Sequence, residues 1–71
     1  MSKLLLKKLE SYLGKKLIIS IDGSIFTGDF VDFDEDVLCL SDVKDISGST
    51  GKELLVSVSN VVWIILAEDK K

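Results

Sequence analysis

The sequence predicts a mainly β domain, an N-terminal α-helix followed by a strongly bent five-stranded antiparallel barrel, and three observations carry that reading. Apolar residues recur at three- and four-residue spacing only near the start of the chain. From Leu17 the period becomes two, and clusters of turn residues separate the apolar segments. Gly28 falls inside the second of those segments, where a glycine marks a bend or a close approach of two backbones.

The helix is expected over about 3–13. In "SKLLLKKLESYLGKK", Leu5, Leu6, Leu9, Tyr12 and Leu13 share one face, Ser2 can cap the start, and Gly14 suits the left-handed position after the end. Lys3, Lys7 and Glu10 take the outer face. The barrel is expected over about 16–66. A two-residue type I′ turn at Asp22-Gly23 sets Ile21 opposite Ser24, Ile19 opposite Phe26 and Leu17 opposite Gly28, which buries Leu17, Ile19, Phe26 and Phe30 together. "VLCLSDV" is the third strand and follows an acidic corner at Asp34, Glu35 and Asp36. "KDISGSTGK" has the Ser, Gly and Asp of a loop, "ELLVSVS" is a fourth strand, Asn60 a turn or kink, and "VVWIIL" a fifth strand. That last segment is apolar on both faces and therefore wants cover on both sides, with a second chain the obvious source. Residues 67–71 form a charged tail, and 1–71 is a single domain.

A chain of 71 residues builds a small core, and without disulfides or metal such chains often rely on association. The apolar content, 46%, is that of a folding domain. No apolar run is long enough to span a bilayer, and Lys7 and Lys8 interrupt Leu4 to Leu6 before it could serve as a signal-peptide core, so the expectation is a soluble cytoplasmic protein with no membrane partner. Cys39 has no cysteine partner and stands between Leu38 and Leu40, which reads as a buried thiol. Charge is uneven. Residues 1–16 hold five lysines against one glutamate, a balance of +4, so the other 55 residues carry −7 of the total −3. Lys3, Lys7, Lys8, Lys15 and Lys16 are accordingly the candidate phosphate contacts, although a solvated face is the simpler reading.

Enzymatic chemistry finds few members here. The chain has no histidine, and its serines have no evident base, so neither a nucleophile–base pair nor a general acid stands out. Asp32, Asp34 and Asp36 alternate like the start of a calcium loop, but Val37 and Val43 occupy the positions of its glycine and its final glutamate. No metal and no cofactor are expected.

The order of elements and two stretches resemble the Sm and Sm-like (LSm) family. The first is "LESYLGKKLIISIDGSIFTGDFVDFD", with Leu9, Tyr12 to Gly14, Gly23, Phe26, Gly28, Phe30 and Phe33-Asp34 at matching places. The second is "VSVSNVVWI", with Asn60, Val61, Val62 and Ile64 matching and Trp63 where a tyrosine or aliphatic residue is common. The resemblance covers about 9–66 and implies an SH3-like barrel, the Sm fold. It also implies a ring of six to eight chains, most often seven, in which the fourth strand pairs with the fifth of the next subunit. Leu55, Val56, Val58, Val61, Val62, Trp63, Ile64 and Ile65 are the interface residues so implied. Pairing around a closed ring removes the exposed edge that would otherwise invite aggregation.

The family's uracil pocket, a histidine or similar residue and an asparagine after Phe-Asp together with an Arg-Gly pair in the second stretch, is not reproduced. Its first position falls on Asp36, the asparagine has no counterpart, and Ser57-Val58 replace Arg-Gly. Of the pore-loop positions Asp34, Asp36 and Asn60, the first and last also have structural explanations, as a turn carboxylate and as a residue tolerant of unusual backbone. At three acidic residues per chain, seven copies would bring −21 to a pore, which opposes a polyanion. Trp63 could stack on a base but is read as core or interface packing. The expected function is a ring-forming protein of RNA metabolism with non-standard or weak binding of single-stranded RNA. The alternative is a ring or part-ring that has lost RNA and assembles other proteins.

Overall fold

The computed structural model describes residues 2–67, and the charged tail from Glu68 onward lies outside them. Helix α1 (Lys3–Tyr12) precedes five strands, β1 (Lys16–Ile21), β2 (Ser24–Phe33), β3 (Val37–Asp45), β4 (Thr50–Ser57) and β5 (Val61–Leu66), with a 3-10 turn at Val58–Asn60. All pairs are antiparallel, and the order across the sheet is β4-β3-β2-β1-β5.

The helix starts as its sequence asks. Ser2 Oγ accepts the Leu5 N–H at 3.1 Å, and Gly14 takes a φ of +83° after the end. Leu9 is fully buried and Leu5 and Tyr12 pack beside it, whereas Leu13 lies beyond the last turn and is exposed, so the apolar face is one residue shorter than its pattern. Two backbone bonds then pin the chain to β2: the Gly14 N–H donates to the Phe30 carbonyl at 2.7 Å and the Phe30 N–H to the Lys15 carbonyl at 2.9 Å. The helix is thus fixed over the core.

Asp22 and Gly23 both have positive φ, 44° and 86°, as a type I′ turn requires, and the predicted register of β1 against β2 is observed. The bend in β2 has a local cause. Asp29 pairs with Ser41 but Thr27 with Lys44, so Asp42 and Val43 together face Gly28, and Asp42 adopts a φ of 51°. A Cβ on Gly28 would lie 2.6 Å from Val43 Cγ1 and 3.1 Å from the Ser41 carbonyl oxygen. Only glycine lets β3 come so close. A second irregularity between Phe30 and Asp32 turns β2 again, and the curled sheet encloses Leu17, Ile19, Phe30, Leu38 and Leu40.

Strands β3 and β4 run further than expected. Residues predicted as loop continue the ladder as far as Lys44 opposite Thr50, which leaves only 46–49 as the turn. Asp45 organises that turn, its Oδ1 accepting from the Ser47 N–H and the Ser49 N–H at 2.9 Å each and from the Ser47 hydroxyl at 2.7 Å. At the other end β4 stops at Ser57, because the 3-10 turn takes the residues read as its last two.

Candidate assembly and nucleic-acid interface

The acidic corner between β2 and β3 is ordered by one of its own carboxylates. Asp34 Oδ1 accepts the Asp36 N–H at 2.7 Å and the Val37 N–H at 2.8 Å, while the Asp34 N–H donates to the Val37 carbonyl at 2.9 Å. Hydrogen bonds from those two amides favour the charged form and hold its carboxyl below the usual range. Phe33 stacks on buried Phe30 with ring centroids 5.6 Å apart, which ties the corner to the core. Glu35 and Asp36 remain exposed.

The second stretch meets the first here. The Val58 N–H donates to the Asp36 carbonyl at 2.8 Å, so the 3-10 turn ending in Asn60 sits against the acidic corner. Ser57 and Ser59 place their hydroxyl oxygens 3.0 Å apart across it. Asp34, Asp36 and Asn60 are brought to one locality whose side chains are carboxylates, hydroxyls and one amide. Such a set accepts hydrogen bonds well but supplies no cation, and phosphate binding draws its free energy from cationic contacts.

The two edges of the sheet are a different kind of surface. β5 pairs with β1 on one side only, and β4 with β3 on one side only. On β5, Val61 and Ile64 pack against the core, while Val62, Trp63, Ile65 and Leu66 are 68%, 39%, 48% and 39% exposed. On β4, Leu55 is 63% exposed. Val58 packs against the core, and Val56 is buried in it, so any share Val56 has in an edge contact is confined to its main chain. The sequence did not place Leu66 or Leu5 at the interface, although Leu5 belongs to the apolar face of the helix. Leu66 closes the exposed β5 row, and Leu5 lines an apolar groove with Leu38, Val58, Val62 and Trp63. The uninterrupted apolar run already contained the signal for Leu66; that for Leu5 needs the helix docking.

Cys39 corrects its reading as a buried thiol. Leu38 and Leu40 are fully buried, and the period of two therefore sends Cys39 to the opposite face, where it is half-buried and its Sγ donates to Glu53 Oε2 at 3.4 Å. Desolvation and the adjacent Glu53 carboxylate push the thiol pKa up, so the group stays protonated. Lys3, Lys7, Lys8, Lys15 and Lys16 are all exposed. Among the described residues no group of three or more His, Cys, Asp or Glu side chains is placed to hold a metal ion, and no helix is long and apolar enough to cross a membrane.

Neither a protein-family model nor a curated protein sequence matches the chain. Solved structures do. A conserved hypothetical protein from Pyrococcus furiosus is 40% identical over 92% of this chain and all of its own, with a TM-score of 0.82. The P. aerophilum SmAP1 heptamer is 23% identical over 97% of this chain and all of its own, with a TM-score of 0.83. The Pyrococcus abyssii Sm protein in complex with a uridine heptamer is 20% identical over 87% of this chain and 96% of its own, with a TM-score of 0.78.

Proposed function

For a chain that belongs to the Sm-like protein family, we propose a role as a ring-forming, RNA-associated scaffold of the cytoplasm, without catalytic activity of its own. The observation that carries the ring is the sheet order. Both β4 and β5 end the sheet with unpaired backbone groups, and β5 adds a row of exposed apolar side chains. Head-to-tail pairing of β4 with β5 of the next copy satisfies both edges at once and closes when the rotation between copies divides a full turn. Seven copies is the expected number, within a range of six to eight, and the heptameric P. aerophilum relative supports it.

RNA association draws support from the P. abyssii relative, whose structure holds a uridine heptamer. The binding is weak or non-standard at the pore, because Asp36 and the Ser57-Val58 pair stand where the family's base-reading groups are found. Those same residues favour a second reading, a ring or part-ring that has lost RNA and holds other proteins together. Light scattering on the purified protein across a concentration series tests the shared premise. A discrete species of six to eight chains is expected; a stable monomer or dimer overturns the ring and leaves a barrel whose fifth strand awaits a different partner.

A further inference from the structure

Beside the acidic corner, the outward side of strands β2, β3 and β4 sets carboxylates around an apolar floor. We infer that the groove there seats a basic segment of a partner protein, rich in arginine with aliphatic residues between, an inference that rests on the reading of the chain as a protein-assembly scaffold. Leu38 and Leu40 are fully buried, so the period of two sends Val37, Cys39 and Ser41 outward. The register then lays one row across three strands, Asp32 on β2, Cys39 on β3 and Leu55 on β4, and in the next row Ser41 pairs with Glu53. These rows border a groove of about 260 Å³ lined by Asp32, Phe33, Asp34, Val37, Cys39 and Leu55.

Each carboxylate at the groove is fixed through one of its oxygens. Asp32 Oδ1 accepts the Phe33 N–H at 2.8 Å, Asp34 Oδ1 takes the two amides of the corner, and Glu53 Oε2 accepts from Cys39 Sγ at 3.4 Å. Among the described residues no lysine lines the groove, so three negative charges of set direction stand there without a cation. A guanidinium suits them, because its planar fork bonds a carboxylate through two N–H groups. The exposed Leu55 and the half-buried Val37 and Phe33 supply the floor that an arginine stem or an aliphatic neighbour covers. The same charges repel a polyanion, and among the described residues a bare metal ion finds no group of three ligands placed for it. All of the lining comes from one chain. In a ring, β5 of the next copy pairs with the main-chain edge of β4 and leaves this face open, with Leu55 marking where groove and neighbour meet. The seat therefore repeats once per copy, and a partner with several basic segments gains avidity.

The test is fluorescence anisotropy of short labelled peptides with the full chain, with light scattering on every variant. One peptide intersperses arginines with leucines, a second has serines in the leucine places, and a third has glutamates in the arginine places. The first should bind most tightly, with an affinity that falls as salt is raised. The second should bind about threefold or more weakly, and the third not at all. Asp32→Asn with Glu53→Gln keeps an oxygen for the Phe33 and Cys39 bonds but removes two charges, and should weaken the first peptide by about five- to tenfold. Glu35→Gln with Asp36→Asn removes the same charge from side chains that do not line the groove, and should weaken it by less than about twofold. Leu55→Ser should lower affinity for the leucine peptide and leave the serine peptide unchanged; if it disturbs assembly, the two charge pairs decide alone. An intact ring that fails to bind the first peptide, loses equal affinity in both charge pairs, or releases the peptide to oligo(U) overturns the inference. So does a species larger than one ring that Asp32→Asn with Glu53→Gln breaks apart, since a second ring would then be the occupant. Failure of the unaltered protein to form a ring is read by light scattering alone and is the separate failure of the earlier reading.

Discussion

Strands β1 and β5 lie side by side and are almost equally apolar, yet one is interior and the other is not. In β1, Leu17 and Ile19 are fully buried; across the same ladder, where Ile18 meets Ile65 and Ser20 meets Trp63, β5 exposes both Ile65 and Trp63. Composition does not separate them. Position does: β1 has β2 and β5 on its two sides, whereas β5 has β1 alone. The comparison teaches that the chain buries its central strand by itself and leaves β5 apolar with one edge unpaired.

The sharpest way to break that comparison is to remove one apolar side chain from each region. Phe30→Ala, at the centre, should cost about 3–5 kcal/mol, against a total of roughly 4–11 kcal/mol for 71 residues at typical values per residue. Urea denaturation should find the variant largely unfolded or barely stable. Gly28→Ala comes next. Its methyl group would press on Val43 and the Ser41 carbonyl, neither of which can swing aside, and a loss of about 1–3 kcal/mol is expected in the same experiment. A neutral result would show that β2 and β3 can part without penalty.

Ile65→Lys probes the other side of the comparison. For the chain's own fold the effect should stay within about 0.5 kcal/mol, as at most exposed positions, but a buried unpaired ammonium would be intolerable at a subunit contact. Light scattering should therefore report a folded monomer in place of six to eight chains. A variant that keeps the ring would show that β5 is covered by something other than a second copy.

How much of this was legible before the structure depends on which interactions are local. The Asp22-Gly23 turn fixes the β1–β2 register by its own geometry, and α1 carries its cap at Ser2, so both were readable. The far end of the β3–β4 hairpin was not. Its Ser, Gly and Thr residues have loop chemistry, and only pairing across the ladder makes Lys44 and Thr50 strand. The bulge at Asp42 was hidden for the same reason, since it exists to face Gly28 on another strand. Within the candidate site, Asp34 was identified as a turn carboxylate from local sequence alone. The inward turn of Val56 and the outward turn of Cys39 follow from alternation once the flanking residues are placed, which apolar character by itself does not do.

Exposure does not always signal a missing partner, and Asp34 shows the other case. It is as accessible as β5, but two backbone N–H groups already satisfy it, so the acidic corner needs no second chain to be ordered. The sign of its pH dependence makes this measurable. Hydrogen bonds to the charged form lower the folded pKa below the ordinary value of 3.8, so the stabilisation is present in full above that value and is lost as pH falls through the lowered one. Asp34→Asn keeps an oxygen able to accept the same N–H groups and removes only the charge. The variant should melt slightly below the unaltered protein at neutral pH, and the gap should close in acid once the carboxyl of the native protein is itself protonated. Asp45, whose carboxyl is held low by the Ser47 hydroxyl and nearby amides in the β3–β4 turn, titrates in both proteins and cancels from the difference. A gap that persists unchanged into acid would mean that the charge of Asp34 contributes nothing, and that the corner owes its order to the stacked Phe33 and the Val58 bond instead.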